Sequence, residues 1–138
     1  MLVFDQSDFD AHAAIVEKVK SRTGRIDILV NNAGRSQRAL IEETSLQTDM
    51  EVFNLNTFGV ISITKQVLPV MKQQKSGHIV VVSSLAGKNA APVSGSYCAS
   101  KHALQGFFDT LRMEMFQHNI KVTVVCPVRE KNIHNSSS

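Results

Sequence analysis

The chain has 138 residues, 43% of them apolar and 20% charged, which places it within the size of one small globular domain and outside the disordered range. Seven glycines and three prolines exclude collagen-like and low-complexity architectures, and no run approaches the roughly 18 consecutive apolar residues of a membrane-spanning helix. The 15 basic and 12 acidic side chains give a formal charge of +3 with no Lys/Arg block, a pattern that weighs against a nucleic-acid partner. Two cysteines, Cys98 and Cys126, are too few for a disulfide scaffold, and the five histidines show no paired ligand spacing, so no metal site is expected and both thiols are read as reduced. Asp5 interrupts the apolar start almost at once, so no secretory signal is read there; the lone sequon, Asn135-Ser136-Ser137, falls in a Ser-rich tail.

Leu2-Val3-Phe4 is a short apolar run that reads as a strand, and Ser7 with Asp10 resembles a capping box opening a helix. Ala11, Ala14, Ile15 and Val19 fall at helical spacing, and Gly24 is the stop. Ile26 to Val30 reads as a buried strand leaving through the small, turn-prone Asn31-Asn32-Ala33-Gly34. From Ser45 to about Gln74, Met50, Phe53, Val60, Ile61, Val67, Leu68 and Met71 predict one long helix, bent where Pro69 removes a donor. The β-branched run His78 to Ser83 predicts a central strand, Ser96 to Gln117 a second long helix, and Ile120 to Val125 a last strand. Strand and helix alternate, which predicts an α/β fold: a parallel sheet with helices on its faces.

Tyr97 and Lys101 are four residues apart on a predicted helix, so they share a face, and an ammonium beside a phenol favours the phenolate. Such a tyrosine can act as a general acid/base, although a Tyr/Lys pair at this spacing is more often a packed ring beside a solvated charge. Ser84 follows the strand at its carboxyl end, the edge where open α/β sheets place their sites; its plain alternative is a turn hydroxyl bonded to its own backbone.

With Asn31-Asn32-Ala33-Gly34, Asn56 in Leu55-Asn56-Thr57-Phe58-Gly59, Ser83-Ser84-Leu85-Ala86-Gly87 and Tyr97-Cys98-Ala99-Ser100-Lys101 in this order, the chain resembles the short-chain dehydrogenase/reductase family from Asp5 to Pro127. It looks most like the branch holding dehydrogenase/reductase member seven and its hydroxysteroid-dehydrogenase relatives. The resemblance implies an NAD(P)-dependent oxidoreductase that interconverts an alcohol and a carbonyl, with Tyr97 as proton donor and acceptor and Lys101 supporting it while holding the nicotinamide ribose. It also implies that Ser84 orients the substrate oxygen and that Asn56 fixes a water leading to Lys101. Asn31, Ala33 and Gly34 would follow the cofactor's adenosine side, and Asp5 would contact the adenine. Substrates of lipid, steroid or retinoid type are implied, and so is oligomerisation, homo- or hetero-, through the long helices. A location in the cytoplasm is read from the chain as written, with an endoplasmic-reticulum anchor implied for full-length relatives.

None of the seven glycines forms the G-x-G-x-x-G turn that receives a cofactor's pyrophosphate, and Cys126-Pro127-Val128 stands where the family usually has Pro-Gly. The chain is therefore expected to be a partial Rossmann-like, doubly wound domain over residues 1–128. It would lack the first βαβ unit and the C-terminal substrate region, and residues 129–138 would form a divergent, disordered tail. On its own it is expected to be inactive, with Ile26 to Val30 left as an apolar sheet edge prone to pairing, and Leu2 to Phe4 either sliding beside that edge or poorly paired. The non-enzymatic alternative is a shortened chain that binds a full-length subunit through the small-residue stripe Ala99, Ala103, Gly106 and Thr110.

Overall fold

The computed structural model describes residues 2–128; the expected tail lies outside the described residues. Three parallel strands, β1 (Ile28–Asn31), β2 (Gly77–Val82) and β3 (Ile120–Val125), form a sheet in the order β1-β2-β3. The register aligns Leu29 with Ile79 and Ile79 with Val122. The β-branched runs thus form the strands that their composition predicts. Leu2 to Phe4 has no strand geometry, so of the two arrangements expected for that segment it takes the poorly paired one.

The helices are α1 (Ala11–Thr23), α2 (Leu46–Phe53), α3 (Gly59–Gln74) and α4 (Gly95–Met115). Gly24, at φ 76°, closes α1 through a bond from its N–H to the Lys20 carbonyl. At the other end of α1 the expected capping box does not form. Asp5 instead accepts from both Ser7 N–H and Ser7 Oγ, and Asp10 makes no side-chain cap. The buried residues of α1 are His12 and Val16, while Ala14 is exposed, so the inward stripe is displaced from the one its alanines suggest.

The long helix predicted from Ser45 to Gln74 is one helical path with an interruption in a different place. Pro69 sits inside α3 without ending it, whereas Asn54–Phe58 widens into a π-turn in which the Gly59 N–H reaches back to the Asn54 carbonyl. Such single wide turns recur at functional sites, and this one carries Asn56. Ser45 begins α2 by accepting from the Thr48 N–H.

One core joins Val16 of α1, Val60, Ile63, Val67 and Met71 of α3, Leu104, Phe108, Leu111 and Met115 of α4, and Ile79, Val81 and Val122 of the sheet. All of the sheet's core residues lie on one face by register. The opposite face bears Ile28, Val30, Val80, Val82 and Val125, and Ile28 and Val30 are 60% and 58% exposed. The described residues thus supply one helical layer of a Rossmann-like parallel α/β fold. The two sheet edges differ. On β3, Arg112 Nε donates to the Val122 carbonyl at 2.9 Å, blocking the outer edge with a charge, while the outer edge of β1 opens on an apolar cleft lined by Phe4, Ile15, Val19 and Ile63. No described helix is long and apolar enough to cross a membrane.

Candidate active site

The carboxyl ends of β1 and β2 lead into two turns, Asn32 to Arg35 and Ser83 to Gly87, and α4 and the π-turn bring side chains down onto them. Lys101 is buried on α4, and its Nζ donates to the Val82 carbonyl at 3.0 Å, the last carbonyl of β2. Burial lowers its pKa from the ordinary lysine value because the charged form loses water. The same residue is tied from the other side, since Ser83 Oγ donates to the Lys101 carbonyl at 3.2 Å. Gly87 explains how close these pieces come: a Cβ there would lie 2.5 Å from Ser83 Oγ and 2.9 Å from the Lys101 carbonyl oxygen.

Asn56 is fully buried and almost fully engaged. Its Nδ2 donates to the Arg35 carbonyl at 2.9 Å and to Ser100 Oγ at 3.2 Å, and its Oδ1 accepts from the Arg35 N–H at 2.8 Å. This two-point lock on the backbone of Arg35 holds the β1 exit turn against the π-turn. Ser100 Oγ in turn donates to the Tyr97 carbonyl, and Thr57 Oγ1 donates to the Ser100 carbonyl at 3.1 Å, which fixes α4 to the π-turn. Gly34 lies where these groups converge: a Cβ on it would be 3.2 Å from Asn56 Oδ1 and 3.4 Å from Lys101 Nζ. Lys101 Nζ also lies 6.0 Å from the centroid of the half-buried Tyr97 ring.

Asn56, Lys101, Gly34 and Tyr97 are therefore gathered at one end of the sheet. Ser84 follows Ser83, which bonds the Lys101 carbonyl, and starts the short 3-10 turn Leu85–Gly87, its Oγ accepting from the Ala86 N–H at 3.1 Å. The turn role weighed for it from sequence is present, and it leaves the hydroxyl proton to donate. Asn31 is buried with its Nδ2 bonded to Thr64 Oγ1 on α3 at 3.0 Å, and Ala33 is exposed. Asp5 stands apart from this cluster, across a polar cavity from Arg35 and Glu51. The Ser7 hydroxyl and N–H hold its carboxyl below the usual carboxylate range.

Arg35, Ser100 and Thr57 are the site residues the sequence reasoning missed. Arg35 acts on Asn56 through its backbone, for which no side-chain type is diagnostic, while its guanidinium pairs with Glu51 at 3.0 Å and helps hold that carboxyl below its ordinary pKa. Cys98 and Cys126 are both free thiols. No group of three His, Cys, Asp or Glu able to hold a metal occurs among the described residues.

A family model described as short chain dehydrogenase matches residues 1–131. The chain is 46% identical over 127 residues to dehydrogenase/reductase SDR family member 7B of Xenopus tropicalis, covering 92% of this chain and 41% of that one. It is 45% identical over 139 residues to the human SDR family member 7, covering 99% of this chain and 41% of the relative. Among solved structures, a short-chain dehydrogenase from Streptomyces avermitilis superposes with a TM-score of 0.90 at 33% identity, over 99% of this chain and 51% of that one. ElxO with NADP bound matches with a TM-score of 0.87 at 33% identity, over 90% of this chain and 50% of its own. The chain thus spans about two fifths of the length of these curated relatives and half that of the solved ones.

Proposed function

The chain belongs to the short-chain dehydrogenase family, and from that premise we propose that residues 1–138 carry the proton-handling half of an alcohol–carbonyl oxidoreductase site. The observation that carries this reading is the convergence at Gly34, where Asn56 Oδ1 and Lys101 Nζ flank one point on the β1 exit turn. An ammonium kept out of water beside a tyrosine ring is chemically suited to support a phenolate during proton transfer.

In this reading Tyr97 delivers its hydroxyl proton to the substrate oxygen during reduction and takes one back during oxidation. Lys101 stabilises the phenolate left behind. Ser84, whose oxygen accepts from Ala86, donates its own proton to the same substrate oxygen and so opposes the charge that develops there. Asn56 Oδ1 has one lone pair engaged by Arg35; the other is free to take a relay water in the space at Gly34 that it shares with Lys101 Nζ. Residues 31–34 fit a nicotinamide dinucleotide in one respect: the missing side chain of Gly34 keeps the approach to Lys101 clear. When bound, that cofactor supplies the hydride, and Asn31, Ala33, Gly34, Tyr97 and Lys101 are proposed to line it, with Asp5 toward the adenine; NAD and NADP are not distinguished.

No glycine-rich turn for a pyrophosphate occurs within residues 1–138, so this polypeptide by itself is proposed to bind the cofactor weakly and to be nearly inactive. Calorimetric titration with NADH and NADPH tests that directly. Binding weaker than the micromolar range is expected, and micromolar affinity overturns it. Tyr97 is the single tyrosine and there is no tryptophan, so its emission monitors the site during the same titration. Any alcohol or carbonyl turnover seen at high cofactor concentration should vanish in Tyr97→Phe, and its persistence would remove Tyr97 from the mechanism.

A second reading is favoured by one observation. Ala99, Gly106 and Thr110 are exposed on α4, with open space above Gly106, rather than packed on the chain's own sheet. Met113 continues the stripe and is 73% exposed. We propose that this face of α4 docks a full-length subunit. Co-purification of the two tests it, and Gly106→Gln should abolish capture if the contact is a close helix packing.

A further inference from the structure

His12 has no part in the proposed site, yet its ring is fully enclosed between the N-terminal segment, α1 and α3. Nδ1 lies 2.8 Å from Ser62 Oγ on α3, and Nε2 is buried with no hydrogen-bond partner among the described residues. The Phe4 ring meets it edge-on at 5.6 Å and the Phe9 ring lies at 6.1 Å. Residues 4–9 therefore wrap the imidazole and close it off from solvent.

We propose that His12 makes this segment a pH-released strap, with residues 4–9 and the first turns of α1 held against α3 only while the imidazole is neutral. A neutral ring bonded through Nδ1 leaves at worst one lone pair unmet at Nε2. A protonated ring carries a charge that the enclosed site strips of water, offset only in part by the Gln6 backbone and the Asp8 carboxylate. Burial accordingly lowers the pKa of His12 from 6.5, and it outweighs the Gln6 backbone and the Asp8 carboxylate, both of which favour the cation. The group facing it from α3 is the neutral Ser62 hydroxyl; from the strap it is Asp8.

The sign follows from linkage. The enclosed state favours the deprotonated ring, so closure is fully present above pH 6.5 and weakens as pH falls below it, levelling off once the enclosed ring is itself protonated. Between those limits the ratio of open to closed strap rises up to about tenfold per pH unit. The strap also reaches the helix that carries Asn56. The Gln6 carbonyl packs against Gly59, the residue that closes the π-turn, so closely that a Cβ on Gly59 would collide with it. Release would thus loosen the contact at that end of the helix. The device needs nothing from the oxidoreductase reading, and its tests involve no turnover.

The test is hydrogen exchange on the whole chain between pH 7.5 and 5.5, corrected for intrinsic rates, with side-chain NMR of the histidines. Peptides covering residues 4–16 should lose protection by about tenfold per pH unit below 6.5 while peptides over Leu104 to Leu111 keep theirs. The His12 resonance should titrate below 6.5. Asp8→Asn, an exposed change, should move its midpoint further down. His12→Phe should give a strap whose protection ignores pH. If that variant fails to fold, Ser62→Ala serves instead, raising exchange at every pH while keeping the slope. A His12 midpoint at or above 6.5, or loss of protection in step with α4, would overturn the proposal.

Discussion

Removing Asn56 should loosen the β1 exit turn before anything else in the molecule. Its amide makes three hydrogen bonds at 2.8–3.2 Å, two of them to the backbone of a residue 21 positions away. In Asn56→Ala the exposed Arg35 backbone regains water, so each of those two bonds costs about 1 kcal/mol net. The third partner, Ser100 Oγ, keeps its bond to the Tyr97 carbonyl and loses less. Adding the small cavity left at a fully buried position, the total is about 2–4 kcal/mol, a large share of the roughly 5–15 kcal/mol of a typical domain. Urea denaturation followed by far-UV circular dichroism reads the total, and hydrogen exchange at Arg35 reads the locality. Asn56→Asp sharpens the test, because it keeps the acceptor for the Arg35 N–H but turns an oxygen toward the Arg35 carbonyl; it should destabilise at least as much. A loss below about 0.5 kcal/mol in Asn56→Ala, with the Arg35 amide as protected as before, would refute the idea that this lock holds the site together.

Phe108→Ala empties a fully buried ring site at the centre of the core and should cost about 3–5 kcal/mol, read by the same denaturation; a cost under about 1 kcal/mol would mean that α4 is not anchored there. Gly87→Ala places a methyl 2.9 Å from the Lys101 carbonyl oxygen, so the turn must shift away from α4. The expected result is lower stability together with faster exchange at Ser83 and Lys101, and an unchanged exchange pattern would contradict the packing. Val30→Lys puts a charge on the open sheet edge at a position 58% exposed, so it should suppress self-association in sedimentation velocity while leaving the urea midpoint nearly unmoved. Persistent association would show that neither this strand nor its bare face drives it.

The parts of the fold legible in the sequence are those where one physical signal dominates. Ile79 to Val82 and Ile120 to Val125 are β-branched throughout, and Gly24 stops a helix because it adopts φ 76°. The misreadings arise where the signal depends on a partner. Leu2 to Phe4 has the composition of a strand, but a strand exists only with a neighbour to bond, and β1 leaves its outer edge unbonded by that segment. Of the stripe Ala11, Ala14, Ile15 and Val19 read for α1, Ala14 is exposed and the others are half-buried, while His12 and Val16 take the fully buried positions, because a buried imidazole is invisible to an apolar count. α3 continues past Pro69 to Gln74, and the wide turn falls instead at Asn54 to Phe58, where nothing in the residues announces the extra one.

The site has a further reason for being half legible. Residue type singled out Asn56, Ser84, Tyr97 and Lys101 as candidates, but the bonds that hold this region together are largely to backbone: Lys101 Nζ on the Val82 carbonyl, Ser83 Oγ on the Lys101 carbonyl, Asn56 on both polar groups of Arg35, Thr57 on the Ser100 carbonyl. Each of these carbonyls and N–H groups lies at or beside the end of a strand or on a helix packed there, where the ladders run out and a buried polar group needs another partner. Two of the side chains that meet this need, Lys101 and Asn56, are also ones whose chemistry the proposed reaction uses. Structural satisfaction and function are therefore coupled at Lys101: replacing it by Met would leave the Val82 carbonyl without a donor at the same moment as it removes the ammonium from Tyr97. The two losses separate by assay, since the first lowers the urea midpoint whether or not cofactor is present and the second is read only in proton transfer. A Lys101→Met chain with an unchanged midpoint would show that the lysine's bond to the strand end contributes nothing to the fold, and the coupling argued here would fail.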